Sequence, residues 1–198
     1  MQKELAVTLN TRRLCLRPLS INDVDLLWPD ISDPEISRYM AWEAHLEKSQ
    51  TLDFLRAEVA RREAGKGVTW GIFKDGEFCG IASLIALIWA YRSLTYNKAE
   101  LAYWLGRRYW RQGIMTEAIY QIMQFGFQEL GLHKICVSHF SPNSSSEKII
   151  KRLGFRYVGE QLDEYRKDGI WYNQKNYEIL DKEFYKLKTS FSKENNHD

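Results

Sequence analysis

The sequence is short of the residues that would staple or coordinate a small domain. Its three cysteines, Cys15, Cys79 and Cys136, lie far apart with no Cys-x-x-Cys spacing, and there are four histidines. No disulfide framework and no structural metal are expected; the thiols, each flanked by apolar residues, read as reduced and buried in a cytoplasmic protein. Charge of one sign is also missing. Lys plus Arg number 28 against 26 Asp plus Glu, a net charge of +2, which carries no electrostatic footprint for nucleic acid. Long apolar runs are absent as well. The longest, Ile81 to Tyr91, is too short to span a bilayer, and Met1-Gln2-Lys3-Glu4 has no apolar signal core, so no membrane association is expected.

What is present suits one folded domain. The chain of 198 residues is 44% hydrophobic and 27% charged, with no internal repeat or low-complexity linker. Residues 1–188 read as a single domain and 189–198 as a polar, frayed tail.

Along the chain, Arg13 to Leu19 alternates apolar and basic positions before a turn, as a first strand does. Ser20 caps a short helix from Ile21 to Trp28, closed by Pro29. An amphipathic helix follows from Ser49 to Ala64, with Leu52, Leu55 and Val59 inward. Thr69–Phe73 and Glu77–Leu84 flank Lys74-Asp75-Gly76, a hairpin signal because Asp-Gly accommodates positive φ. A fourth strand spans Lys98–Leu105 and a fifth Lys134–Phe140. Between them a helix runs from about Met115 to Leu130 on the stripe Ile119, Ile122, Met123, Gly126 and Leu130. Strand, helix and strand make a βαβ unit, so the fourth and fifth strands should be parallel in a mixed sheet. Ser144–Leu153 reads as a helix capped by Gly154, and Phe155–Gln161 and Trp171–Ile179 as closing strands around Lys167-Asp168-Gly169.

The chemistry concentrates where the fourth strand enters the next helix, from Glu100-Leu101-Ala102-Tyr103-Trp104-Leu105 to Trp110-Arg111-Gln112-Gly113-Ile114-Met115-Thr116. Such a loop gathers free backbone N–H groups and the positive end of a helix, which a pyrophosphate requires; Gly113 allows close approach, and Arg107, Arg108 and Arg111 add charge. A plain helix start with a turn glycine fits the same residues. Pro142-Asn143 before Ser144-Ser145-Ser146 reads as a turn and N-cap. His133 reads as part of a helix-to-strand connection and His139 as a strand residue, neither of them catalytic. Trp42, Trp70, Trp89, Trp104, Trp110 and Trp171 read mostly as core, and Leu87 to Asn97 as a loop with an exposed tip.

The order strand, phosphate-type loop, helix, strand, Ser-Pro-Asn-x-x-Ser, helix, Leu-Gly-Phe resembles the GNAT acetyltransferases. Within them it is most similar to the ribosomal-protein N-terminal acetyltransferase subgroup, from Thr11-Arg12-Arg13-Leu14-Cys15-Leu16-Arg17-Pro18-Leu19 to about Tyr177. Only Gly113 matches the family's Gln/Arg-x-x-Gly-x-Gly/Ala loop; Trp110 and Met115 depart from it, implying a backbone cradle with bulkier walls.

The resemblance implies an α/β (α+β) GNAT fold, a mixed and mostly antiparallel sheet with helices on both faces and a V-shaped split between strands 4 and 5. It implies acetyl-CoA as cosubstrate, held by Tyr103, Trp104, Leu105, Arg111, Gln112, Gly113, Ile114, Met115, Thr116, Asn143 and Ser146. Glu100 would be the general base and Ser146 the hydrogen-bond donor to the leaving thiolate, with Tyr157 and Tyr172 as stand-ins. The Leu105 N–H would polarise the thioester carbonyl. Transfer would go directly to an amine, with no acyl-enzyme on Cys136. The acceptor implied is a protein N-terminus; a polyamine, an aminoglycoside, an aminoacyl nucleotide, a silent acetyl-CoA-binding module and a homodimer stay open.

Overall fold

The computed structural model describes residues 4–194. Its strands are β1 (Leu9–Asn10), β2 (Leu14–Pro18), β3 (Val68–Lys74), β4 (Glu77–Tyr91), β5 (Leu94–Leu105), β6 (Lys134–Phe140), β7 (Arg156–Lys167) and β8 (Ile170–Leu180). Its helices are α1 (Val24–Ile31), α2 (Pro34–Ser37), α3 (Lys48–Glu63), α4 (Ile114–Gln128), α5 (Ser144–Arg152) and α6 (Asp181–Glu194). The strands form one sheet in the order β1-β2-β3-β4-β5-β6-β8-β7. Every neighbouring pair is antiparallel except β5–β6. The mixed α/β fold is therefore the expected one, and the fourth and fifth expected strands are β5 and β6 because the short β1 precedes them.

Two apolar layers sandwich the sheet. On one face Ile119, Ile122 and Met123 of α4 pack with Ile135 and Val137 of β6, Ile150 of α5 and Phe184 of α6. On the other, Leu27 and Ile31 of α1 and Leu55 of α3 pack with Ile81 and Trp104. These faces are called here the α4 face and the α1 face.

Local rules explain most boundaries. Ser20 caps a 3-10 turn, Ile21–Asp23, through a capping box with Asp23, which Arg17 holds at 2.7 Å. The β3–β4 hairpin turns on Asp75 (φ 52°) and Gly76 (φ 83°).

Four expectations are corrected. The helix does not stop at Pro29: α1 carries it inside and runs on to Ile31, because Asp30 and Ile31 are buried and packing outweighs the lost N–H. The inward stripe of α3 is Thr51, Leu55 and Glu58 rather than Leu52, Leu55 and Val59. Glu58 is buried because Arg61 pairs with it at 2.5 Å and Thr69 donates to it. Leu87 to Asn97 is no loop but the outer part of the β4–β5 hairpin, turning at Arg92 (φ 55°). Finally, α6 continues through Thr189 to Glu194, where the sequence reads as a tail; residues 195–198 lie outside the described residues.

Candidate active site

The site begins where the parallel pair ends. β5 and β6 pair over four rungs, Lys98↔Lys134 to Leu101↔Val137, yet β5 continues to Leu105 and β6 to Phe140. Beyond Leu101 the two strands part, which is the expected V. The left arm, β5, stays bonded to β4: the Gly106 N–H donates to the Cys79 carbonyl at 2.8 Å. Backbone groups alternate sides along a strand, so Tyr103 and Leu105 turn theirs toward the gap. Accordingly the Leu105 carbonyl accepts from the Trp110 indole at 2.9 Å, outside the ladder. An extended chain of amides laid in the gap would meet an unsatisfied strand edge.

The same alternation sorts the side chains. Glu100 shares the α1 face with Trp104, opposite Cys136 on β6. Tyr103 and Leu105 lie on the α4 face. There the Tyr103 hydroxyl sits 2.7 Å from Ser146 Oγ on α5, a bond that crosses from the left arm to the helix behind the right one. Ser146 is buried, and its backbone N–H donates to Asn143 Oδ1 at 3.1 Å, so Asn143 is the N-cap of α5 and fixes the serine's place. Burial pushes the Tyr103 phenol up to about 12, against the Ser146 bond, which pulls it down. The phenol therefore stays protonated at neutral pH, and the hydroxyl pair can donate to a developing anion.

Below the V, Gly113 (φ 72°) begins α4 as an N-cap with no side-chain hydrogen bond to the first turn. The first-turn N–H groups, with the helix dipole behind them, are available to an anion. Arg107, Arg108 and Arg111 are exposed around the loop. Arg13 bridges its floor: its guanidinium pairs with Glu117 at 2.6 Å and donates to the Gln112 carbonyl at 3.4 Å. The side chains of Ile114 and Met115 are buried in the core, so Met115 does not form the bulky wall expected of it and only its backbone faces the loop. Thr116 is half-buried and Gln112 exposed, its amide donating to the Arg108 carbonyl at 2.9 Å.

The stand-in tyrosines lie elsewhere. Tyr157 is exposed on β7 and packs edge-on to Tyr177. Tyr172 stacks on Phe140 with ring centroids 5.3 Å apart, on the α1 side. Tyr103's side chain, considered from sequence only for its backbone, is the tyrosine that reaches Ser146. A partner 43 residues away leaves no local signal.

His133 is a connection, as expected, near Asp181 at 3.4 Å. Cys136 lies mid-strand, its thiol pushed up by burial and so kept protonated. Among the described residues no group of three or more His, Cys, Asp or Glu could hold a metal ion, and no helix is long and apolar enough to cross a membrane.

On the α1 face, β7–β8 turns at Lys167 under the segment after α2. The buried Lys167 ammonium donates to the carbonyls of Ser37 at 2.7 Å, Met40 at 3.0 Å and Trp42 at 2.7 Å. Trp42 in turn leans on Trp104, centroids 6.3 Å apart, and Tyr39 meets Tyr172 at 6.4 Å. An aromatic wall thus stands on the side of the V that carries Glu100.

Comparison with known proteins agrees with this geometry. The family model for the acetyltransferase (GNAT) domain matches residues 13–156. The uncharacterised N-acetyltransferase YoaA of Bacillus subtilis is 27% identical over 174 residues, 87% of this chain and 96% of that protein. The solved RimL, a ribosomal L7/L12 α-N-protein acetyltransferase in complex with coenzyme A, superposes with a TM-score of 0.81 at 17% identity, covering 88% of this chain and 98% of that one. Mycobacterium smegmatis RimJ in complex with a CoA disulfide also gives 0.81, at 19% identity and with 91% and 90% covered. With the family model spanning most of its length and the split sheet in place, this chain belongs to the GNAT acetyltransferase family and is an acetyl-CoA-dependent N-acetyltransferase.

Proposed function

We propose that the protein acetylates the α-amino group of a protein N-terminus, such as that of a ribosomal protein, by direct attack of the amine on acetyl-CoA. The observation that carries this reading is the division of labour across the V: a carboxylate, Glu100, on the aromatic-walled α1 face and a hydroxyl pair, Tyr103–Ser146, on the α4 face. An acceptor amine entering beside Glu100 loses its proton there, directly or through water, and becomes nucleophilic. Leu105, whose N–H faces the gap, donates to the carbonyl oxygen as it gains charge. Ser146, oriented by Asn143 and bonded to Tyr103, donates to the departing sulfur from the other face. The pantetheine arm takes the free edge at Tyr103 and Leu105, with Trp104 between them holding β5 to β4. The pyrophosphate takes the first-turn amides after Gly113, flanked by Arg111 and Gln112. No covalent intermediate is needed, since the Cys136 thiol is kept protonated by burial. A peptide acceptor is supported by the likeness in fold to the ribosomal-protein acetyltransferases.

The test is an acetyl-transfer screen by mass spectrometry against peptides beginning Ala, Ser, Thr or Met, alongside spermidine, an aminoglycoside and an aminoacyl nucleotide. Acetyl on a peptide α-amine is expected. Transfer confined to a small amine would overturn the acceptor and leave the cofactor reading standing.

A further inference from the structure

The helices of the α1 face cover only part of the sheet. Their apolar layer reaches Trp104 on β5 and holds, among the described residues, none from β6, β7 or β8. Along β6 the same face carries Cys136, Ser138 and Phe140, paired with Glu178, Asn176 and Gln174 of β8. Residues directly opposite each other share a face, so Gln161 of β7 continues the row from Gln174. Tyr165 and Tyr172 pack on Phe140. Ser138, Gln174 and Asn176, by contrast, are only half-buried, and Gln161 is exposed. An open polar strip therefore begins one row beyond Glu100, which pairs with Cys136.

Three carboxamides make up the strip. Gln174 Nε2 donates to Asn176 Oδ1 at 3.3 Å and Asn176 Nδ2 to Gln161 Oε1 at 2.9 Å, so the three hold one another in place. Each carboxamide has two donor hydrogens and two acceptor lone pairs. Among the described residues the chain leaves a lone pair on Asn176 Oδ1 and both N–H groups of Gln161 to spare. Acceptor and donor side by side are what the N–H and C=O of an extended backbone require. Glu178, the β8 carboxylate in the row of Glu100, is paired with Lys134 at 2.9 Å and with Arg156. The ground between Glu100 and Asn176 thus suits the amides of a peptide better than the ammonium groups of a polycation.

Distance decides which part of a peptide meets the strip. From Glu100 to Asn176 is two strands across and two residues along, about 12 Å at about 4.8 Å per strand and about 3.3 Å per residue. An extended chain advances about 3.3–3.6 Å per residue, so with the α-amine beside Glu100 about the fourth residue lies over Asn176.

We propose that Asn176, braced by Gln174 and Gln161, is a binding residue for the backbone of a peptide acceptor at about its fourth residue, which makes the enzyme selective for peptides over short amines. This rests on the proposed peptide acceptor and adds a length requirement to it.

The assignment is tested by measuring kcat/KM for acetyl transfer to peptide amides of two to six residues that share one N-terminal sequence, with spermidine alongside. The proteins compared are the wild type, Asn176→Leu and Gln161→Leu. Leucine keeps about the volume of asparagine and removes both donor and acceptor. In the wild type kcat/KM is expected to rise about tenfold between the tripeptide and the pentapeptide, the worth of one or two hydrogen bonds to a peptide backbone. Asn176→Leu is expected to remove most of that step through KM, while the tripeptide, too short to reach the residue, reacts equally with both proteins. Gln161→Leu, at an exposed position, is expected to reduce the step by about threefold. A wild type with no step, or an Asn176→Leu protein that keeps it whole, would overturn the assignment. An equal loss at all lengths would also overturn it, since Asn176 would then serve only the integrity of the sheet. Peptide acetylation without a step leaves the proposed acceptor standing and removes only this inference, whereas transfer to spermidine alone removes both.

Discussion

Lys167→Met is the substitution whose effect the structure sets most directly. The methionine keeps most of the buried stem and removes the ammonium, which donates three hydrogen bonds of 2.7 to 3.0 Å to the carbonyls of Ser37, Met40 and Trp42. Bonds from a charged donor contribute about 1.5 kcal/mol or more each, and at least the Ser37 bond is fully buried, so its carbonyl has little water to turn to. Glu43, at 3.7 Å but largely exposed, adds little. The three bonds together are worth about 4.5 kcal/mol, and the more apolar methionine recovers about 1 of these, leaving a loss of about 3.5 kcal/mol. For a chain of this length that lowers Tm by about 7–14 °C. The assay is thermal unfolding followed by circular dichroism, with Lys167→Arg as a second variant that keeps the charge. Because the lysine ties the Tyr39–Trp42 segment to the β7–β8 turn, KM for the acceptor should rise while affinity for coenzyme A holds. A fall in Tm below about 2 °C would refute the reasoning, since the three bonds would then contribute less than half of what is expected of them.

Three further outcomes are expected. Glu100→Gln should lower kcat by about 100-fold or more while leaving affinity for coenzyme A within about twofold, as loss of a general base on the acceptor face requires; retained turnover would remove it from the mechanism. A double-mutant cycle of Tyr103→Phe and Ser146→Ala should give a coupling of about 1 kcal/mol in kcat/KM, the worth of one buried hydroxyl pair, and because the phenol titrates only near 12 the Tyr103→Phe profile should keep its shape from pH 6 to 10. Glu117, held below the usual carboxylate range by Thr11 and Arg13 against the opposing effect of burial, is lower in the folded than in the unfolded state. Its contribution is therefore present above the ordinary glutamate value and lost as pH falls through the lowered one, so Glu117→Gln should destabilise by about 1 kcal/mol at pH 7 and the gap should close in acid. Urea midpoints measured from pH 7 down to 3 check this, and a gap that widens toward acid would contradict the sign.

Much of this was legible where one residue type determines local geometry. β6 runs from Lys134 to Phe140, as its pattern predicts, and the two hairpin turns expected from the sequence fall on their Asp-Gly pairs, Asp75-Gly76 and Asp168-Gly169. Asn143 is the N-cap that its place before three serines suggests. The β4–β5 hairpin was missed for the converse reason: its turn uses Arg92 with positive φ, and irregular pairing between Ile85 and Ala90 breaks the alternation, so there is neither a glycine nor a period to read. Glu58 was missed because a buried glutamate on a helix looks like a solvated one until Thr69 and Arg61 close on it. At the site, the strand, loop and serine followed from motif order, but the Tyr103–Ser146 bond, the Lys167 strut and the Asn176–Gln161 bond depend on contacts between distant residues or on burial.

The four-rung parallel seam also bears on how the molecule comes apart. β1 to β5 form a continuous antiparallel run on one side, and β6, β8 and β7 a second on the other. Within the sheet they meet through four residue pairs; outside it the α4 crossover, the Tyr103–Ser146 bond and the Lys167 bonds join them. The two halves are thus candidate cooperative units that differ in when they lose protection. Amides on the β5–β6 seam, such as those near Ala99 and Ile135, should exchange with solvent before those at the centre of β3 and β4, and a ligand that fills the gap above them should slow that exchange from a distance.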